Sequence, residues 1–276
     1  MAISSALLLI CAAILGDYYI ENARSEALLR EIYGEREERA AESRAFRQKE
    51  AADPVIRKEP DEEKLSESEL YPGFYERLFE LKRANRDFFG WLYAMDGRIS
   101  YPVMKGPEED RDHYLKRDFY GEPSVRGCLY TDSSSCHIIY GHNMKDGSMF
   151  GELDMLSLVE PGEKLQRVKL YIPREDGRIL LNTYETVASF TATEKNFKTE
   201  GFLKMIRAEK EEDKKELIKY LRDTNKAAIS EKINDYSDLD FLTMVTCEYS
   251  EADSRLFVVA KKISQWTKCI KKGTII

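Results

Sequence analysis

Three residues of types that perform acyl transfer through a thiol stand out: Cys247, His142 and Arg255. Cys247 follows the apolar, β-branched run Phe241–Thr246, and the end of a strand places a side chain at the rim of a sheet, where substrate can reach it. Arg255 opens the next apolar run, eight residues later. The polar stretch between them can form a hairpin loop. We therefore expect Cys247 and Arg255 to face each other across the mouth of a hairpin.

Each residue suits one part of such a reaction. A thiolate at Cys247 would be the nucleophile, and a guanidinium at Arg255 would stabilise first the thiolate and then an oxyanion. An imidazole at His142, which follows a short apolar strand and a glycine, would hold or deliver the proton. Simpler interpretations stay open, namely an inert buried cysteine, a structural histidine, and a surface arginine paired with Asp253 or Glu251.

The other histidines and cysteines have weaker contexts. His113 lies in a charged stretch, and His137 precedes an apolar run. The five cysteines form no CxxC motif and no regular spacing, which argues against a disulfide framework and a structural zinc site. Cys128 and Cys136 flank a predicted turn. They are interpreted first as core cysteines, with a disulfide between them as a second hypothesis.

Hydrophobic periodicity predicts a helix, a series of short strands and a second helix. The helices are predicted at Gly73–Phe89 and Phe202–Leu221. Many short strands with one inserted helix are typical of a β-barrel or a sandwich. The predicted strands are Arg98–Met104, Gly127–Thr131, His137–Tyr140, Leu165–Ile172, Arg178–Thr191, Phe241–Thr246 and Leu256–Ile263.

The first part of the chain predicts a separate organisation. The uncharged run Ala2–Gly16 has 15 residues, which is about 22 Å as a helix and short of the roughly 30 Å bilayer core. Tyr18 and Tyr19 suit a membrane interface. They favour a membrane anchor in residues 1–20 over a signal peptide or a buried helix. A charged helical stalk and linker would follow in residues 21–70, and the globular domain would occupy residues 71–276.

Composition limits the partners and cofactors. The net charge of −7, with no basic run, argues against a nucleic-acid partner. The acidic stretch Glu108–Asp112 is interpreted as a solvated surface, and no cluster of metal ligands is visible. The sequence therefore predicts no cofactor and no metal.

Two motifs together resemble those of the class B sortases. The stretch Ile139–Gly151 looks like the histidine motif of that family, and Leu242–Cys247 resembles its cysteine motif, with Arg255 at the usual spacing. The similarity runs from about Asn85 to Lys262. The long helix predicted before the cysteine strand is similar to the insertion that marks class B.

The resemblance implies a mainly β fold, an eight-stranded barrel with N-terminal helices and an inserted helix. It implies a single-pass protein of the cell membrane of a Gram-positive bacterium, with its catalytic domain outside. Its partners would be secreted proteins with a C-terminal sorting signal, an amine of a cell-wall precursor or pilin, and the membrane itself. Cys247 would form a thioacyl enzyme, His142 would transfer the protons, and Arg255 would hold substrate and oxyanion. Thr246 and Glu248 are carried over as substrate contacts.

Two departures from the family concern the substrate groove. Met244–Val245 stands where relatives often have Leu-Ser, and Asp110–Arg111 stands where they often have Asp-Asn. Both bear on the recognised signal more than on the reaction. Two other functions stay open: a thiol hydrolase on the same scaffold, and a catalytically silent surface scaffold. A redox protein is disfavoured, since Cys269 lies beyond the last predicted strand.

Overall fold

The computed structural model describes most of the globular part of the chain. The described residues are 73–132, 135, 137–157, 166–197, 199–223, 236, 238–248 and 253–269, together with Gly16 and six positions from Tyr19 to Leu28. The chain divides into two compact units, Met1–Arg77 and Leu78–Ile276. The predicted boundaries after residues 20 and 70 stay predictions, because most of residues 1–72 lie outside the described residues.

The predicted single-pass membrane location is corrected by the structure. Within the part of the chain that it describes, no helix is both long and apolar enough to cross a bilayer. A spanning helix needs about 20 consecutive apolar residues, whereas the run Ala2–Gly16 has only 15. Apart from Gly16, that run lies outside the described residues.

Eight strands form a closed barrel in the order β1-β2-β3-β4-β7-β8-β6-β5. Neighbours are antiparallel except for β2–β3 and β4–β7, which are parallel. The barrel confirms the predicted fold class. The strands are β1 (Phe88–Ala94), β2 (Ile99–Lys105), β3 (Leu129–Thr131), β4 (Ile138–Tyr140), β5 (Arg167–Pro173), β6 (Arg178–Thr193), β7 (Phe241–Glu248) and β8 (Ser254–Cys269).

Strand β1 was not among the strands predicted from periodicity. The predicted helix Gly73–Phe89 ends earlier, at Ala84, as α1 (Phe74–Ala84). Near its end, the Lys82 ammonium donates to the carbonyl of Phe88 in β1 at 2.7 Å. Almost every residue of β1 is buried, so it lacks the alternation by which a half-exposed strand is found. It also packs closely on β5, since a Cβ at Gly90 would lie 2.4 Å from the Tyr171 carbonyl oxygen.

The predicted helix before β7 is confirmed in outline but consists of several pieces. After the short helix α2 (Leu153–Ser157), the insertion between β6 and β7 contains α3 (Glu194–Phe197), α4 (Glu200–Arg207) and α5 (Glu211–Asp223). Ala208 takes a left-handed conformation, with φ 47°, and ends α4. The apolar faces of α4 and α5 pack with barrel residues in one cluster, which includes Met205, Ile206, Leu217, Ile218, Leu221, Phe190, Phe241, Val245 and Phe257.

Candidate functional site

The β7–β8 hairpin brings two of the predicted residues together. In its antiparallel register, Cys247 lies directly opposite Arg255. Strand β7 ends at Glu248 and β8 begins at Ser254. The predicted juxtaposition of Cys247 and Arg255 at the end of the hairpin is thus confirmed for the backbone.

The third predicted residue reaches the same rim through β4. This strand runs parallel to β7, with Tyr140 opposite Val245. The Gly141 N–H donates to the Val245 carbonyl at 3.1 Å, and the Thr246 hydroxyl donates to the Gly141 carbonyl at 2.9 Å. Gly141 thus lies beside Thr246, and His142 and Cys247 are the next residues of the two segments.

Gly141 is required at its position by close packing. A Cβ there would lie 2.3 Å from a methyl carbon of Leu129 and 2.7 Å from the ring of Phe150. Any side chain would have to displace one of these buried neighbours. The glycine therefore lets the backbone that carries His142 pass between β3 and the following loop.

The imidazole of His142 is oriented by a backbone carbonyl. Its Nε2 lies 2.7 Å from the carbonyl oxygen of Leu115, in the short 3-10 helix His113–Lys116. A carbonyl only accepts hydrogen bonds, so Nε2 carries the proton and donates. In the neutral ring, Nδ1 is therefore the basic nitrogen. Gly127 permits this arrangement, because a Cβ there would lie 2.2 Å from the Leu115 oxygen.

The surroundings of His142 favour the neutral imidazole. Partial burial lowers the pKa of His142, and the cations of Lys116 and Arg255 lower it further. The hydrogen bond to Leu115 opposes these effects, because it favours the protonated ring. Burial is the largest of these causes, so the ring is mostly neutral near pH 7.

The Arg255 side chain is half-buried and rests on an aromatic ring. Its guanidinium carbon lies 5.4 Å from the centre of the Phe197 ring in α3, and one of its N–H groups donates to the Ser254 carbonyl at 3.0 Å. Among the described residues, no carboxylate is ion-paired with Arg255. Pairing with Asp253 is therefore not observed, and Glu251 lies outside the described residues.

Thr246 and Glu248 were predicted as substrate contacts. Thr246 is only 2% exposed, and its hydroxyl donates to Gly141, so it joins β7 to β4. Glu248 pairs with Ser254 in the hairpin register. A contact of either residue with substrate stays a prediction. Val245, where relatives often have serine, is also buried, at 4% exposure.

Replacing Thr246 with valine is expected to lower the free energy of unfolding by about 1–2 kcal/mol, since the buried Gly141 carbonyl loses its side-chain donor. Urea unfolding would measure this loss. Thr243→Val on the same strand is the matched control, because its hydroxyl is 3.5 Å from the Ile206 carbonyl, at the limit for a hydrogen bond. Equal losses in the two variants would contradict a special role for Thr246.

The remaining candidate residues have other surroundings. Cys128 is a buried free thiol, as its first interpretation predicted, and Cys136 lies outside the described residues. Burial raises the pKa of Cys128. His113 is paired with Asp110, within the acidic stretch. No group of three or more His, Cys, Asp or Glu residues that could hold a metal ion occurs among the residues described.

The structural role of Leu115 could not be predicted from the sequence, because it acts through its backbone carbonyl. Phe197 was also missed, since an aromatic residue at the end of a short helix gives no signal of a distant arginine. Both lie far in the sequence from the residues that they contact, Leu115 between β2 and β3 and Phe197 in the insertion after β6.

The sequence of the chain is similar to that of a known protein over a limited stretch. No protein-family profile matches the chain. Sortase B of Listeria monocytogenes serovar 1/2a is 38% identical over 85 residues, which are 28% of this chain and 34% of that protein. The match thus spans about a third of the curated relative's length.

Solved structures match over a larger share of the chain. Clostridium perfringens sortase B is 25% identical, with a TM-score of 0.52 over 67% of this chain and 99% of that chain. A Staphylococcus aureus sortase B–substrate complex shares the fold, with 24% identity and a TM-score of 0.51 over 69% of this chain and 86% of that chain. The chain is thus similar to sortase B proteins in its fold and, over one stretch, in its sequence.

Proposed function

We propose that this protein is a cysteine transpeptidase of the sortase type, which cleaves a sorting signal and joins the acyl part to an amine. The observation that carries the proposal is the backbone register that sets Cys247 opposite Arg255 and, through Thr246 and Gly141, brings His142 to the same rim. The similarity to sortase B supports the same chemistry.

In the first half of the reaction, the Cys247 sulfur attacks the scissile carbonyl carbon of the signal. The carbonyl oxygen becomes an oxyanion, which the Arg255 guanidinium stabilises. The carbon–nitrogen bond then breaks and leaves a thioester on Cys247. The leaving amine takes its proton from Nδ1 of His142, because Nε2 is committed to Leu115.

In the second half, an amine attacks the thioester carbon. Nδ1 of His142 accepts the proton of that amine, a peptide bond forms, and the Cys247 sulfur leaves. The acceptor belongs to a cell-wall precursor or to another protein, and the donor is a secreted protein with a sorting signal.

The lowered pKa of His142 has a consequence for the rate. Acyl transfer needs a thiolate and an imidazolium in the same molecule. Because burial and nearby cations keep most imidazoles neutral near pH 7, only part of the enzyme holds this ionic form at any moment. The fraction of active enzyme therefore depends on the ionisation of both the thiol and the imidazole.

The test uses the full chain, a library of sorting-signal pentapeptides and an added amine. The library varies the positions next to the scissile bond, because the family's Leu-Ser is replaced here by Met244–Val245. Mass spectrometry would follow cleaved peptide, amine-ligated peptide and a thioacyl adduct. The adduct is expected on the proteolytic fragment that contains Cys247.

Three results are informative. An adduct on Cys247 together with ligated product supports the transpeptidase. Cleavage without ligation would identify a thiol hydrolase, with water as the acceptor. No adduct with any peptide, from a folded protein whose Cys247 is also unreactive toward a thiol reagent, would overturn the enzymatic proposal and favour a silent scaffold.

A further inference from the structure

A buried arginine lies beside the loop that carries His142. Arg126 is only 4% exposed. Its guanidinium is 2.8 Å from a carboxylate oxygen of Asp146 and donates to the Ser148 hydroxyl at 3.0 Å. A buried arginine is costly unless its charge is paired and its N–H groups are bonded. Asp146 and Ser148 both lie within seven residues of His142 in the sequence.

The loop that holds these partners is closed on itself. The other oxygen of Asp146 accepts from the Ser148 N–H at 3.0 Å and from its hydroxyl at 2.7 Å. At the base of the loop, the Phe150 N–H donates to the His142 carbonyl at 2.9 Å. Met149 is held at φ 55° while being 2% exposed, a strained backbone that persists only where the surroundings fix it.

Arg126 and the carbonyl that binds the imidazole belong to one segment. The Ser124 N–H donates to the Lys116 carbonyl at 2.9 Å, and the Arg126 N–H donates to the Ser124 hydroxyl at 3.3 Å. Leu115 is the residue before Lys116. Two contacts therefore connect His142 to this segment. Its ring binds the Leu115 carbonyl, and its loop is paired with Arg126.

We propose that Arg126 is a positioning residue whose ion pair with Asp146 holds the histidine loop in place, so that Nε2 of His142 stays on Leu115 and Nδ1 is presented to the reacting groups. The expected effect of Arg126 on the rate rests on the proposed function, whereas its effect on the His142 ring can be measured separately. Arg126 acts through the loop and touches neither thiol nor ring in this scheme.

The surroundings of Asp146 favour its ionised form, which the ion pair with Arg126 requires. Partial burial opposes ionisation of this carboxyl, but the hydrogen bonds from Ser148 and the charge of Arg126 outweigh it and lower the pKa of Asp146. The carboxylate is therefore ionised throughout the neutral range, and the pairing with Arg126 persists there.

The test compares Arg126→Met, Arg126→Lys and Asp146→Asn with Arg98→Met. Arg98 is the matched control, because it pairs at 3.7 Å with Glu152 on the protein surface, just beyond the same loop. Asp146→Asn keeps an acceptor for the Ser148 bonds but loses the charge and the second oxygen that faces Arg126. Two readouts are needed: kcat and KM with the best peptide and amine, and titration of the His142 ring by NMR.

In Arg126→Met we expect kcat to fall about 10-fold and KM to stay within about 2-fold, since small misplacements of a catalytic group act on the chemical step. The pKa of His142 should rise toward 6.5, because burial is the largest cause of its lowering. Asp146→Asn should show a smaller change in the same direction, and Arg126→Lys should recover part of the loss. Arg98→Met should match the wild type.

An unchanged His142 titration and kcat in both Arg126→Met and Asp146→Asn would overturn the inference, as would equal effects in Arg98→Met. If Arg126→Met fails to fold, Asp146→Asn decides. If the wild-type protein transfers no acyl group, the proposed function fails. The NMR titration then still shows whether Arg126 positions the ring.

Discussion

Replacing Cys247 with alanine is expected to lower kcat/KM for acyl transfer by roughly 10⁴-fold or more, since the variant has no atom that can form the thioester. The fold should be retained, because β7 pairs with β8 along its whole length and with β4 at Thr243–Val245. Liquid chromatography of the ligated peptide would give the rate, and mass spectrometry should detect no adduct on the variant.

The matched control for this variant is Cys269→Ala. Cys269 is an exposed free thiol at the end of β8, where it pairs with Arg178. It can therefore react with reagents without taking part in turnover, and the alanine variant should keep the wild-type rate. If Cys269→Ala lost activity, or if Cys247→Ala kept it, the nucleophile would be a different thiol.

Replacing His142 with glutamine is expected to lower kcat/KM by about 10²- to 10⁴-fold, which is the usual contribution of a general acid–base group. Glutamine can still donate to the Leu115 carbonyl, so the backbone arrangement should persist. It cannot carry a proton between the two amines. Steady-state kinetics with the best peptide would measure the loss.

The pH profile tests the same residue in a second way. Burial, Lys116 and Arg255 lower the pKa of His142, so the acid limb of wild-type kcat/KM should have its midpoint below the ordinary value of 6.5. Activity falls along this limb because the imidazole becomes protonated while the thiol has not yet ionised. A profile from about pH 5 to 9 would locate the midpoint, and the limb should be absent from the residual activity of His142→Gln.

The other two histidines of the chain provide controls for this result. His113 is paired with Asp110, and His137 lies 3.5 Å from Asp240 at the start of β7. Neither is in the Tyr140–His142 segment. His113→Gln and His137→Gln should keep both the rate and the acid limb. A midpoint above 6.5 in the wild type, or an acid limb that moves in one of these controls, would contradict the role given to His142.

The amino-acid sequence by itself determined the local parts of this protein. The run Phe241–Thr246, the polar stretch after Cys247 and the apolar run from Arg255 together predicted a hairpin, because apolar, β-branched runs and a polar loop are short-range signals. The hairpin places Cys247 opposite Arg255, as predicted. The mainly β class and the inserted helices could be predicted for the same reason.

The contacts that orient the site were decided only by the tertiary structure. The Thr246 hydroxyl meets Gly141 across 105 residues of sequence, and the His142 ring meets Leu115 across 27. The first contact follows from the parallel pairing of β4 with β7, and the second links the segment between β2 and β3 to the segment after β4. Local sequence carries no signal of these long-range registers, and the Leu115 carbonyl has no side-chain identity to recognise.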